Sequence, residues 1–398
     1  MADLPVADLQ SLVKEALRRA KAAGAARAER MGQMHREISR RLWAARGLDG
    51  DPVAEEEEED DELEEEDEEE LAKEDALLER IMLVEIQQGD ELRARYREAE
   101  ERILDYDPKQ GGAYYTRLDI VYDLASFDHD EESPIVPMRF TDAVHKTRSD
   151  YELCEAVNIL SVKIGSLDIE FPIHVYGTVI ARDSLDLRCV YLFRRAREES
   201  QTINSKDESL VLTGPKRGLA LIRDMYVEAN LSIKGDETQE DRQLSKGMLT
   251  IPGIDRRVLT KCELESCSLS TRLSTVDVMY VVVKAAVEAT ISLEVIAGEF
   301  FGEITAWTSS INERIVLHDR LARITSGERI APTIPLLRSV VAVYVKEKLL
   351  LTIAAHSEDG EITKCIDYTP RVNGSTLDEV TVGSTVLRVK IVWSIIDF

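Results

Sequence analysis

Three stretches hold residues whose type and spacing could do chemistry. Thr213-Gly-Pro-Lys-Arg-Gly218 sets two adjacent cations, Lys216 and Arg217, between two glycines, the makings of a loop that cradles a phosphate. It lacks the length and the downstream Ser/Thr of a P-loop, so a tight turn with both cations exposed is the simpler expectation. Asp183 and Asp186, with Asp168 nearby, could offer oxygens to calcium between two strands, but Arg182 and Arg188 flank the pair and are expected to neutralise it. Cys262 and Cys267 fall on opposite faces of an alternating strand, which is not the geometry of a zinc pair. The six histidines (His35, His129, His145, His174, His318 and His356) include no HExxH and no pair within one helical turn. His174 is expected on the strand face opposite Ile173 and Val175, and no GxSxG elbow supports a serine hydrolase. The expected site is therefore a binding surface built on Lys216, Arg217, Asp183 and Asp186, with no catalytic residue, no metal and no cofactor.

The elements that must position these residues are strands. Phe171 to Arg195 alternates apolar and polar side chains, turns at Asp183-Ser-Leu-Asp186, and resumes the apolar run at Val190-Tyr-Leu-Phe193, which reads as strand, turn, strand. Further strands are expected near 157–164, 209–213, 224–234, 243–250, 258–268, 276–283, 287–296, 301–307, 313–318, 338–345, 348–355, 362–367 and 385–396. Turn residues at intervals of about eight to twelve positions mark an antiparallel β-sandwich or barrel over 151–398. A weak internal echo lays Gly177-Thr-Val-Ile-Ala and Arg188 to Val190 beside Gly302-Glu-Ile-Thr-Ala and Arg314 to Val316. A duplicated sandwich and shared strand grammar explain that echo equally well.

The front of the chain is different. Residues 1–48 read as a basic amphipathic helix, with Leu9, Leu12, Val13 and Leu17 and then Met31, Met34, Ile38 and Leu42 at helical spacing. Helix–helix pairing through this segment is the simplest use for it. Residues 49–70 are nearly pure carboxylate and are expected to be a disordered, solvating spacer. Helix resumes over 71–106 with a break at Gly89-Asp90, is stopped by Asp107-Pro108, and gives way at a Gly111-Gly112 hinge to an irregular lead-in over 107–150. The fold class is thus mainly β, an antiparallel sandwich-like domain behind α-helical segments and an acidic spacer.

Composition narrows the function classes. A formal net charge of −26 over 398 residues argues against direct nucleic-acid binding through phosphate neutralisation. The charge is uneven, since residues 1–50 hold ten Lys/Arg against six Asp/Glu and Asp51 to Asp75 hold eighteen acids against Lys73. Five cysteines, an odd and sparse set, point to free thiols in the cytoplasm or nucleus. No apolar run reaches the roughly 18 residues of a membrane helix, so a soluble protein with no membrane partner is expected.

Several motifs carry a family likeness. Asp107-Pro-Lys-Gln-Gly-Gly112, Pro137-Met-Arg-Phe-Thr-Asp142, Val175-Tyr-Gly-Thr-Val-Ile-Ala-Arg-Asp-Ser-Leu-Asp186, Val190-Tyr-Leu-Phe-Arg-Arg195, Asn204-Ser-Lys-Asp-Glu-Ser-Leu210, Leu212-Thr-Gly-Pro-Lys-Arg-Gly-Leu219 and Leu244-Ser-Lys-Gly247 resemble a large grass family. Its members carry a C-terminal plant domain of unknown function behind a variable helical and acidic front. The resemblance spans residue 107 to the C terminus and implies no activity by itself. Some relatives resemble proteins in which this domain follows an rRNA-depurinating, ribosome-inactivating domain, which implies a stress or defence setting. The toxin's Glu-Ala-x-Arg signature is not met, because Glu288-Ala289 has no arginine two residues on and sits in strand-like sequence. The function expected is a non-catalytic protein-interaction module with an unidentified protein partner. The alternative, from another class, is an RNA- or ribosome-directed enzyme or accessory domain, whose sign would be a deep pocket lined by paired carboxylates and arginines.

Overall fold

The computed structural model describes residues 68–145, 147–236, 240–253, 259–319, 323–325, 332–357 and 360–397, together with Gln33 and Arg36. The basic helix expected over 1–48 and most of the acidic spacer lie outside the described residues. Two compact units are present, Met1–Arg102 with Asp123–Ala125, and Ile103–Tyr122 with Ser126–Phe398. The first contains the helix α1 (Glu68–Ile103), which starts inside the acidic run and passes through Gly89-Asp90 without the expected break. One interior glycine costs a helix only about 1 kcal/mol relative to alanine. The Arg93 side chain also knits that turn, with Nη2 2.7 Å from Asp90 Oδ1 and Nε donating to the Gly89 carbonyl. Among the described residues no helix is long and apolar enough to cross a membrane.

The second unit is antiparallel β throughout. It opens with a hairpin, β1 (Leu104–Asp107) and β2 (Gly112–Tyr115). The Asp107 side chain accepts from Lys109 N–H at 2.9 Å and Gly111 takes φ 79°, so the expected hinge is instead a tight turn. Strands β3 (Ala156–Leu167), β4 (Ile173–Arg182), β5 (Val190–Arg195), β6 (Gln201–Ile203), β7 (Leu219–Ala220), β8 (Met225–Ile233), β9 (Arg242–Ile251), β10 (Glu263–Thr271) and β11 (Ser274–Val283) follow. They form sheets ordered β10-β11-β3-β7 and β5-β4-β8-β9, with β6 on β4. Their inner faces close one core, to which Ile159, Val179, Phe193, Leu231 and Val278 belong.

A second sandwich repeats the first. It comprises β12 (Ala286–Ala297), β13 (Glu299–Phe300), β14 (Gly302–Thr308), β15 (Ile311–His318), β16 (Ile324–Thr325), β17 (Val340–Tyr344), β18 (Leu349–Ser357), β19 (Gly360–Tyr368), β20 (Ser375–Val382) and β21 (Thr385–Ile395). Its four-stranded sheets run β20-β21-β12-β17 and β15-β14-β18-β19, strand for strand the order of the first pair. Its core holds Ile291, Phe300, Leu351, Val389 and Trp393. The faint sequence echo lies on the matching hairpins β4–β5 and β14–β15.

Atomic detail supports the repeat. Gly177 pairs with Leu231 and a Cβ there would sit 2.2 Å from the Asn230 carbonyl; Gly302 pairs with Ala355 and a Cβ there would sit 1.9 Å from the Ala354 carbonyl. Each glycine thus abuts the oxygen one residue before its partner. Alanine at Gly302 should cost about 2–4 kcal/mol, read as a lowered denaturation midpoint, because the clash is with backbone that cannot swing away.

Two sequence expectations failed for readable reasons. The run at 209–213 is no strand because its amides are divided. Leu210 N–H goes to Val162 of β3, Val211 N–H to the Gln201 side chain, and Thr213 N–H to Leu192 of β5, so the segment crosses between sheets. Strand β20 escaped notice because Leu377 faces solvent while Thr376 and Asp378 are half-buried, inverting the alternation.

Candidate functional site: a charged cleft where the sandwiches meet

The last residue of β4, Arg182, is fully buried and forks onto Glu228 of β8, with Nε–Oε1 at 2.6 Å and Nη2–Oε2 at 3.1 Å. Glu228 also accepts from Arg117 Nε at 3.0 Å and Leu118 N–H at 2.9 Å. Burial pushes this carboxyl up, but the two guanidiniums outweigh it and hold it below the ordinary glutamate value. The His129 carbonyl takes hydrogens from Arg117, Arg182 and the Cys189 thiol. Burial in turn lowers the His129 imidazole and raises the Cys189 thiol.

One turn along, Arg217 is buried against Asp183, Nη1–Oδ2 at 2.5 Å and Nη2–Oδ1 at 3.0 Å. It reaches Asp186 at 3.4 Å and Ser133 Oγ at 3.1 Å, and Ser133 Oγ itself donates to Asp186 at 2.7 Å. Asp183 accepts in addition from Ala220 N–H at 2.9 Å, so its oxygens are spoken for.

Glu288 of β12 is buried with no cation in hydrogen-bond reach among the described residues. Its oxygens accept Gly218 N–H at 2.6 Å and Met138 N–H at 2.7 Å. Burial raises this carboxyl above the ordinary glutamate value, against the pull of those two amides. Between Glu288 and Arg217 lies a narrow cleft with about 10 Å³ of free space, lined also by Val136, Met138, Arg139 and Leu185.

Three of the four residues singled out in sequence therefore meet, Asp183, Asp186 and Arg217. Lys216 does not join them; its side chain is 75% exposed and pairs with Glu132 at 2.9 Å. The expected turn with both cations exposed is corrected for Arg217, which the carboxylates draw inside. The expected neutralisation of Asp183 and Asp186 by Arg182 and Arg188 is corrected too, because Arg182 serves Glu228 and Arg188 pairs with Glu131 at 3.1 Å. His174 is exposed opposite buried Ile173 and Val175, as its strand position predicts.

Sequence reasoning missed Glu228 and Glu288 as site residues. The signal was present: each is a carboxylate flanked by apolar residues in a strand, in the same Val-Glu-Ala context (Val227-Glu-Ala229 and Val287-Glu-Ala289), and a buried charge must find partners. Chemically, the arrangement holds charge still. Both oxygens of each buried carboxylate are occupied, and burial drives the Cys154 thiol to about 12 and Cys267 to about 11, far from nucleophilic. Among the described residues no group of His, Cys, Asp and Glu is arranged to hold a metal ion.

A family model described as a domain of unknown function (DUF6598) matches residues 156–391. No curated protein matches the sequence. Among solved structures, human GIVD cytosolic phospholipase A2 is similar at a TM-score of 0.22 and 12% identity over 60% of this chain, which spans 30% of that enzyme. The C2A and C2B domains of extended-synaptotagmin 2, calcium bound, are similar at a TM-score of 0.21 and 8% identity, over 61% of this chain and 98% of that one. Likeness that remote says nothing about fold or activity.

Proposed function

We propose that this chain, which belongs to the DUF6598 family, is a non-catalytic protein-interaction module whose contact surface includes the rim of the junction cleft. One contrast carries the reading. The charges inside the site are consumed by internal partners, while the rim turns Val136, 63% exposed, and Met138, 39% exposed, to solvent. A cleft with about 10 Å³ of free space, room for about one water, is far too small for a substrate, since ligand pockets run from about 300 Å³ upward. Anchored backbone bearing exposed apolar side chains suits a protein partner, because the ordering cost of the segment is met before binding. A stress or defence role in a plant belongs to the same proposal and rests on the family resemblance, and a cytoplasmic or nuclear setting rests on the odd, sparse set of five cysteines.

The test is affinity capture from grass leaf extract with the full chain and with Val136→Asp/Met138→Asp. The variant should keep the parent's circular dichroism and lose the proteins that the parent recovers. Equal recovery by both would remove the rim from the proposal. Ribosomes as the dominant catch, with adenine missing from their rRNA, would replace the interaction reading with a catalytic one.

A further inference from the structure

We infer that the outer edge of β19 in the second sandwich, which no strand among the described residues pairs with, is a docking edge for an extended polypeptide segment of a partner protein that alternates apolar and basic residues. The surface is separate from the junction cleft, so either reading can fail alone.

Proteins normally blunt sheet edges by shortening, bulging or covering them. Most edges here are treated in that way. β7 is two residues long, β5, β9 and β15 each carry a register shift against their neighbours, and the Asn158 side chain covers Ala342 of β17. The counterpart of β19 in the first sandwich is β9, and there the chain's own β1–β2 hairpin packs, with Tyr114 Oη donating to the Lys246 carbonyl at 2.8 Å. Straight β10 has Gln110 Nε2 on its Ser270 carbonyl at 2.8 Å. β19 pairs with β18 over nine residues without a shift and contains no proline, and Gly360 to Cys365 are all exposed. Its lysine is no guard, because Lys364 Nζ bends back to the Thr381 carbonyl at 3.3 Å.

The direction of the edge groups follows from the ladder. His356 N–H donates to Phe301, on the β14 side of β18, so backbone groups alternate from there. Ile362, Lys364 and Ile366 then turn their amides to β18, and Thr363, Cys365 and Asp367 turn theirs outward. An added strand would bond those outward groups. Its side chains on one face would meet Glu361 and Asp367, and on the other Ile362, 47% exposed, and Ile366. Lys348 sits 3.2 Å from Asp367 in an exposed pair of little strength, and the part-buried His356 sits 3.2 Å from Glu361. Alternating apolar and basic residues complement both faces.

The probe is a short capped, fluorescein-labelled peptide alternating valine and lysine, titrated against the full chain by anisotropy beside a valine–glutamate counterpart. The lysine peptide should bind, the glutamate peptide should not, and amide exchange at Thr363 and Cys365 should slow. Thr363→Pro removes an outward amide and no ladder bond, so the fold should stand while affinity falls about tenfold or more. Glu361→Lys/Asp367→Lys should reverse the preference between the two peptides, which keeps the proposal open to refutation if the proline variant misfolds. Equal binding by parent and Thr363→Pro would overturn it. So would sedimentation showing a dimer of the chain that Thr363→Pro dissociates, since the occupant would then be a second copy.

Discussion

Arg182→Met should destabilise the β unit by about 3–5 kcal/mol, because it removes one partner of a buried pair and leaves the other charge in place. Arg182 is wholly buried and Glu228 nearly so, and their two bonds are 2.6 and 3.1 Å long. Methionine fills much of the volume but also deserts the Leu187 and His129 carbonyls. Arg117 cannot replace the lost cation, since it already donates to Glu228 and to Asp130. Adding Glu228→Gln should return part of the loss, and urea denaturation of the two singles and the double measures how much.

The same pair predicts a weaker pH response in the variant than in the parent. In the parent the Glu228 carboxyl lies below its ordinary value of 4.5, so it contributes stability that is present above that value and is lost as pH falls through the folded pKa. With Arg182 gone, Arg117 and the Leu118 amide still favour the charged form, but one guanidinium fewer opposes burial, so the folded pKa rises from its depressed position. Glu228 then contributes less stability at neutral pH than it does in the parent, and the shortfall shrinks as protons bind. The stability gap between parent and Arg182→Met should narrow as pH falls below the ordinary value of 4.5 toward the parent's folded pKa. A constant gap would mean that the loss comes from packing and not from the stranded charge.

Strand identity was legible where one face of a strand is buried and the other wet. Phe171 to Arg195 and the strands after it declared themselves by period-two alternation, because burial is what the alternation records. The duplication was legible only as a faint echo. What the repeats share is strand order and the close approach of Gly177 and Gly302 to a neighbouring backbone, and neither needs matching side chains. The site was half legible. Asp183, Asp186 and Arg217 stood out because charge clustered at turns is conspicuous, but their pairing depends on a contact across 34 residues of sequence that no local pattern encodes. Glu228 and Glu288 were hidden by the reverse effect, a single acid amid valine and alanine that does not disturb a strand reading.

The second large effect concerns what joins the sandwiches. Strand β3 carries a bulge, Met279 opposing Ser161 and Tyr280 opposing Ile159, which drops Leu160 from the ladder and aims its side chain into the second core. Arg338, just before β17, takes up the carbonyls this leaves, with Nη1–Ile159 O at 2.7 Å and Nη2–Leu160 O at 3.2 Å, while its Nε reaches Val316 O of β15 at 3.3 Å. Burial pulls this guanidinium down to about 10, with no carboxylate paired to it among the described residues. Asn158 adds a second staple, exchanging two bonds with the Ala342 backbone at 2.7 and 2.9 Å.

Arg338→Met relieves a desolvated charge but orphans up to three carbonyls, at about 1–3 kcal/mol each. The orphans win, because a buried carbonyl in a packed seam has no water to turn to. Asn158→Ala strands one amide and one carbonyl more. Since each sandwich has its own core, the double variant should lose coupling before it loses either half. The tryptophans make this visible: of Trp43, Trp307 and Trp393, the last two lie in the second sandwich, so in a Trp43→Phe background fluorescence follows that sandwich alone while far-ultraviolet dichroism follows both. The two signals should coincide through denaturation in the parent and separate in Arg338→Met/Asn158→Ala. Coincidence in the double variant would show that apolar contact across the seam, from Leu160, Val281 and Val283 into the second core, suffices to hold the repeats as one cooperative body.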